Sequence, residues 1–310
     1  MLETRSRTSG TEGTDSAIVR FDGVTKIYRG GGGVRNLTLE VEPGEIFGYL
    51  GPNGAGKTTT IRLLLDLIRP SSGTISVFGR DSRRDSVAIR RRVGYLPGDL
   101  ALYDQLSARD VLSHFAFLRG GPAWKEIRTL ADSLDLDLDR PIRSLSRGTR
   151  QKVGIVAALM GEPDLLVLDE PTSGLDPLVQ HQVHELLRAA AASGRSVFLS
   201  SHVLSEVAQI ADRVGLIRDG ELVTVERVVD LRQRAAHLID VRLHHEPDRD
   251  VFATLPGVTA CTISGNDVHL EVSGDLRAVI SAIAASDLED LSVREPSLEE
   301  VFLAFYDNVD

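Results

Sequence analysis

Gly51-Pro52-Asn53-Gly54-Ala55-Gly56-Lys57-Thr58 is the stretch that decides the fold. It fits the pattern G-x-x-x-x-G-K-[ST]. Its glycines let the backbone fold round a phosphate chain, so that successive N–H groups and the N-terminus of the next helix face the anion. Lys57 would then reach the outer phosphates, the Thr58 hydroxyl would ligate Mg2+, and Thr59 extends the binding set into the helix. The surroundings suit the motif. A strand, Ile46 to Leu50, precedes it, and apolar residues recur at helical spacing after it, at Ile61, Leu64, Leu65 and Ile68, until Arg69-Pro70 ends the helix. With only four lysines in the chain, an incidental lysine in a glycine-rich turn is the poorer reading.

Leu165-Leu166-Val167-Leu168 reads as a buried strand that ends in two carboxylates, Asp169 and Glu170. Beside a phosphate loop, Asp169 would hold Mg2+ through its water shell and Glu170 would polarise the attacking water. Strands often end in acidic residues near a turn, so this pair gains its meaning from the loop.

Further strands are expected at Ala17 to Phe21, Leu37 to Val41, Thr74 to Phe78, Val93 to Leu96, Val197 to Ser200, Val214 to Ile217 and Leu222 to Val225. Gly30 to Gly33 and Pro43-Gly44 punctuate the first of these. An arginine-rich helix is expected around Arg83 to Arg92, with a solvated face. Helical patterns run from Ala108 to about Leu134, divided at Gly120-Gly121-Pro122, and again over Arg150 to Met160, Val179 to Ala192 and from Leu204. Continuous apolar strands alternating with helices indicate an α/β fold whose parallel sheet is covered on both faces, with a helical insertion over about 97–160.

Beyond residue 229 the pattern changes. Strands at Leu238 to Leu243, Val258 to Ile263, Val268 to Val272 and Leu288 to Val293 interleave with helices at Val251 to Leu255 and Leu276 to Ala285. That order, βαββαβ, is the ferredoxin-like one. A last amphipathic helix is expected at Leu298 to Phe305.

The charge follows the same division. The 310-residue chain carries a net charge of −10. Residues 1–229 hold equal numbers of acidic and basic side chains, so the whole excess lies in 230–310. Residues 1–16 read as a polar, flexible tail without the apolar core of a secretory signal. The expected organisation is therefore that tail, a phosphate-loop domain over 17–229 and an acidic accessory domain over 230–310. A composition 42% hydrophobic and 26% charged excludes overall disorder. One cysteine, Cys261, excludes an internal disulfide, and no apolar run is long enough to span a membrane. The acidity argues against a nucleic-acid partner.

Over roughly residues 17 to 225 the chain resembles the ATP-binding subunits of ABC transporters. Leu145-Ser146-Arg147-Gly148-Thr149-Arg150-Gln151-Lys152 looks like that family's signature motif, and Ser173-Gly174-Leu175-Asp176 like its D-loop. The resemblance implies a P-loop NTPase fold with ATP and Mg2+ as ligands. It implies that Ser146, Arg147 and Gly148 meet the γ-phosphate held by the opposite subunit and that Asp176 crosses a dimer interface. It also implies that His202 contacts the γ-phosphate and Tyr28 stacks on adenine. Read without it, Ser146 is an ordinary helix N-cap and Tyr28 an edge-strand tyrosine.

Two positions depart from the family pattern. Gly98 stands where the family's Q-loop glutamine is expected, with Asp99 next; Asp99 either supplies the missing contact or only solvates the loop. Arg147 replaces a glycine of the signature, and its guanidinium either approaches phosphate or points to solvent.

Glu295-Pro-Ser-Leu-Glu-Glu-Val-Phe-Leu303 resembles the ending of daunorubicin-resistance-type subunits, which export drugs and lipids. The resemblance implies a second ATP-binding subunit, an ABC-2-type membrane permease, and a peripheral place on the cytoplasmic face of the cell membrane. An ABC-type ATPase acting on ribosomes or DNA, and an ATP-binding regulator with little turnover, are the alternatives.

Overall fold

A computed structural model describes residues 17–121, 124–234, 237–245 and 249–294. The expected tail over 1–16, the last helix and the Glu295–Leu303 segment lie outside the described residues. The chain divides into two compact units, residues 17–202 with 215–224, and residues 203–214 with 225–294. The sequence pattern places a single cut after residue 229; in the structure residues 203–214 also group with the second unit.

The first unit begins with the antiparallel pair β1 (Val19–Ile27) and β2 (Gly33–Val41). β3 (Ile46–Leu50) leads through the glycine-rich loop into α1 (Lys57–Leu64). This helix stops short of the expected Ile68. Asp66 takes φ 52° and the N–H groups of Leu67 and Ile68 both close on the Arg62 carbonyl, a left-handed termination. β4 (Ser72–Val77) and β5 (Arg80–Asp81) complete an antiparallel sheet of order β2-β1-β4-β5. The arginine-rich helix shrinks to α2 (Ser86–Arg90), because the Asp81 carboxylate accepts the backbone N–H groups of Arg83 and Arg84 and holds them in a turn.

β6 (Val93–Leu96) is followed by the helical insertion, α3 (Ala108–Leu118), α4 (Trp124–Ser133) and α5 (Arg147–Leu159). β7 (Leu165–Asp169), α6 (Pro177–Ala192), β8 (Ser196–Ser201), α7 (Leu204–Ile210), β9 (Arg213–Arg218) and β10 (Glu221–Arg227) follow. The central sheet has the order β10-β9-β3-β8-β7-β6, and β3, β8, β7 and β6 pair in parallel. Every residue of β3, β7 and β8 is buried, which is why their sequences read as unbroken apolar runs.

In the second unit, α8 (Val228–Arg234) precedes β11 (His237–Leu243), α9 (Arg249–Ala253), β12 (Val258–Ser264), β13 (Asp267–Val272), α10 (Arg277–Ala285) and β14 (Leu288–Arg294). All neighbouring strands are antiparallel in the order β12-β13-β11-β14, the arrangement of a split βαβ unit. Its core is one-sided. Ile239, Val241, Val268, Leu270 and Val272 from the sheet meet Phe252, Val279 and Ile283 from α9 and α10.

Candidate nucleotide site

At the carboxyl end of β3 the chain turns through a loop that only glycine can follow at two points. A Cβ on Gly51 would lie 2.3 Å from the Ile217 carbonyl oxygen, and one on Gly56, at φ 113°, would lie 2.7 Å from that of Gly33. Lys57 follows as the first residue of α1. Its buried ammonium donates to the carbonyls of Gly51 (2.6 Å) and Pro52 (3.2 Å) and lies 3.4 Å from Glu170 Oε1.

Two strands bring the acidic pair alongside. Asp169, the last residue of β7, is buried, and each of its oxygens is held: Oδ2 accepts from the Thr58 hydroxyl at 2.8 Å and Oδ1 from the Ser200 hydroxyl at 2.5 Å. Glu170 leaves the strand at φ 52°, a conformation uncommon for a residue with a side chain. The turn is pinned from both sides. The Glu170 N–H donates to Ser200, and Gln151 Nε2 donates to the carbonyls of Glu170 and Pro171 at 3.2 and 3.1 Å. This turn sends the Glu170 carboxylate away from Asp169, so that Oε1 faces Lys57 and Oε2 lies 2.8 Å from His202 Nδ1. Two adjacent acids thus obtain separate partners, Thr58 and Ser200 for one, Lys57 and His202 for the other.

The groove outside this cluster has a volume of about 480 Å3, and Tyr28, Pro52, Asn53, Gly54, Gly56 and Thr59 contribute to its wall together with Gly98 and Asp99. Tyr28 follows β1; the residue is 40% exposed, and its ring centroid lies 5.9 Å from the Lys26 ammonium. Arg62 and Tyr95, which the sequence motifs do not single out, also line the groove. Burial, and then the charge of Asp169, push the Tyr95 hydroxyl above the usual tyrosine range, while Arg62 opposes this.

The signature segment lies outside the groove's lining residues. Ser146 caps α5 by accepting the Thr149 N–H at 3.1 Å, and its hydroxyl also lies 2.8 Å from that of Thr149. Gly148 allows the start of α5 to pack on the D-loop, since a Cβ there would lie 2.8 Å from the Gly174 carbonyl oxygen. The Arg147 side chain is exposed; its stem lies across Gly174 and its guanidinium is 3.4 Å from the Ser173 hydroxyl. Asp176 caps α6 through the Val179 N–H at 3.1 Å, with Pro177 in the first turn. From the motifs alone no role falls to Ser200, a serine at the end of a buried strand, or to Gln151, which stands within the signature segment and lies on the buried face of α5.

The chemistry of the donor set fits a small divalent cation. A hydroxyl and a carboxylate, both hard oxygen ligands, meet at 2.8 Å beside the phosphate loop. Among the described residues no cluster of three or more His, Cys, Asp or Glu side chains forms a metal cage.

Comparison with known proteins agrees with this geometry. The family model described as ABC transporter matches residues 34–173. The daunorubicin/doxorubicin resistance ATP-binding protein DrrA of Streptomyces peucetius is 36% identical over 304 residues, covering 92% of this chain and 91% of its own. The chain belongs to the ABC transporter family. Within it, the chain is an ATP-binding subunit and an ATP hydrolase. The bacitracin transport ATP-binding protein BcrA of Bacillus licheniformis is also 36% identical, over 74% of this chain and 76% of its own. A solved ATP-binding subunit of an ABC transporter superposes with a TM-score of 0.64 at 29% identity, covering 70% of this chain and 92% of that one. No helix among the described residues of this ABC subunit is long and apolar enough to cross a membrane.

Proposed function

We propose that this ATP-binding subunit drives export of a drug, antibiotic or lipid through a separate ABC-2-type permease, pairing with a second copy of itself when ATP binds. The observation that carries the reading is the groove in which the phosphate loop, Asp169 and Glu170 converge. The names of two relatives, for daunorubicin resistance and bacitracin transport, support the class of cargo. The charge balance agrees with a protein partner, since residues 1–229 hold equal numbers of acidic and basic side chains and offer no excess of positive charge for nucleic acid.

In this reading Tyr28 stacks on the base, and the backbone of residues 51–59 together with Lys57 holds the phosphates. Thr58 and Asp169 hold Mg2+, which when bound neutralises charge on the phosphates. Glu170 accepts a proton from the attacking water, and its second oxygen is kept on His202, which orients it. Ser146, Arg147 and Gly148 face the nucleotide of the other subunit, with Asp176 at the shared boundary. The acidic module after residue 229 is an accessory domain of this motor.

Co-expression with ABC-2-type membrane permeases tests the assignment. The chain should then sediment with membranes alongside one of them, and the Glu170→Gln variant should accumulate as an ATP-bound dimer on size exclusion. A chain that stays in the supernatant with every such permease refutes the exporter reading.

A further inference from the structure

Ser200 is fully buried near the carboxyl end of β8, and in the parallel register it lies directly opposite Asp169 of β7. In-register neighbours on adjacent strands point their side chains to the same face, which brings the hydroxyl within reach of the carboxylate. Its Oγ lies 2.5 Å from Asp169 Oδ1. The same oxygen lies 3.2 Å from the backbone nitrogen of Glu170. One hydroxyl therefore touches both acids of the groove.

Chemistry fixes the direction of each bond. An ionised carboxylate only accepts and a backbone N–H only donates, so the hydroxyl gives its single proton to Asp169 and takes the Glu170 N–H on a lone pair. The last torsion of an aspartate side chain is broad, and a free carboxylate turns about it. With Oδ1 tied to Ser200, Oδ2 is the oxygen held toward Thr58. The second bond acts on the other acid. It holds the turn at which Glu170 takes φ 52°, and from that turn the Glu170 carboxylate faces Lys57 and His202. Gln151 supports the same turn differently, since its amide reaches the carbonyls of Glu170 and Pro171.

We propose that Ser200 is a positioning residue whose one hydroxyl sets two parts of the site, the Asp169 oxygen that meets the divalent cation beside Thr58 and the direction in which Glu170 points. This rests on the reading of the groove as a metal–nucleotide site. Loss of the hydroxyl then damages metal binding and turnover together. Loss of the Gln151 amide, which holds only the turn, damages turnover alone.

The test uses the full chain, a fluorescent ATP analogue, steady-state phosphate release, and Mn2+ whose bound fraction is read by electron paramagnetic resonance. In Ser200→Ala the Mn2+ concentration for half-saturation should rise about tenfold, and phosphate release at saturating Mn2+ should fall about tenfold, in the range found for residues that support metal ligands. In EDTA the same variant should bind the analogue as tightly as the wild type, because Lys57 and the glycine loop are untouched. Ser200→Thr, which keeps the hydroxyl, should restore both quantities, and Gln151→Leu should lower phosphate release without moving the Mn2+ requirement. The proposal is overturned if Ser200→Ala leaves either quantity unchanged or weakens binding in EDTA. It is equally overturned if Ser200→Thr behaves like Ser200→Ala, or if Gln151→Leu needs as much Mn2+ as Ser200→Ala. Failure of the underlying reading looks different: Lys57→Ala would then bind the analogue like the wild type, with Mn2+ and in EDTA.

Discussion

The two units use their sheets in opposite ways. In the first, β3, β7 and β8 are buried at every position, and among the polar groups of that interior Lys57, Asp169 and Ser200 hydrogen-bond at the site, while Ser196 accepts the Gly44 N–H. In the second, β14 is exposed at every position, and β11 and β13 bury only alternate residues. Its charges stand in solvent as cross-strand pairs, Asp240 with His269 and Arg242 with Asp267. Burying a polar group costs free energy unless it is bonded, so buried polar residues are few and each has a task. Solvated charges carry no such cost and mark no site. The excess that makes the net charge −10 lies in residues 230–310.

That contrast predicts a hierarchy of mutational effects. The largest should follow Glu170→Gln. Removing a general base lowers turnover by about 10^2- to 10^4-fold, while analogue binding persists because Lys57 and the loop are untouched. Steady-state phosphate release against analogue affinity checks it. A turnover loss below about tenfold would remove Glu170 from the role of base.

Next in size is a core truncation. Phe198 is fully buried, with its ring centroid 5.7 Å from that of Phe47 and 5.4 Å from that of Tyr49. Phe198→Ala should cost about 3–5 kcal/mol. Val293→Ala, on β14 and 45% exposed, should stay within about 0.5 kcal/mol. Urea unfolding of both variants measures the gap, and equal costs would dissolve the distinction between a two-sided and a one-sided sheet.

How far the sequence could be read follows the same line. Apolar runs such as Leu165 to Leu168 and the glycine spacing of 51–56 are local signals, because burial on both faces and close backbone approach leave direct marks on residue type. The order of strands in the second unit was legible from hydrophobic alternation alone, and its pairing follows the split βαβ rule. Asp169 and Glu170 were legible as a pair, but their separation was not. It depends on the left-handed turn at Glu170 and on Ser200 and Gln151, which come from β8 and α5. The contact of Arg147 with Ser173 was equally hidden, since it joins segments 26 residues apart. Helix ends were misread where a local turn competes, at Asp66 after α1 and at Asp81 before α2.

A smaller effect is expected at the hairpin between β12 and β13. Ser264 pairs with Asp267, leaving Gly265 and Asn266 as a two-residue turn, and Gly265 takes φ 60° with open space around it. Glycine at the first central position is what a II′ turn requires. Gly265→Ala meets no steric neighbour, so its cost is purely conformational, about 1–2 kcal/mol. Gly265→Asn should cost about as much, because the first central position of a II′ turn lies outside the left-handed helical region that asparagine tolerates. If alanine is neutral in denaturant titrations, the turn is not what sets the register of these strands.

The smallest effect should come from the charged face itself. Asp240 and His269 sit opposite one another on β11 and β13, 2.6 Å apart, with both side chains about half exposed. Water screens such a pair in both the folded and unfolded chain, so holding two side chains in one geometry offsets most of the Coulomb gain. Asp240→Asn should therefore cost less than about 1 kcal/mol and leave phosphate release at the wild-type rate. A double-mutant cycle with His269→Gln isolates the coupling. Should Asp240→Asn instead change ATP turnover while leaving stability intact, the solvated face of the second unit would be a working surface, and its acidic excess would need a partner rather than only solvent.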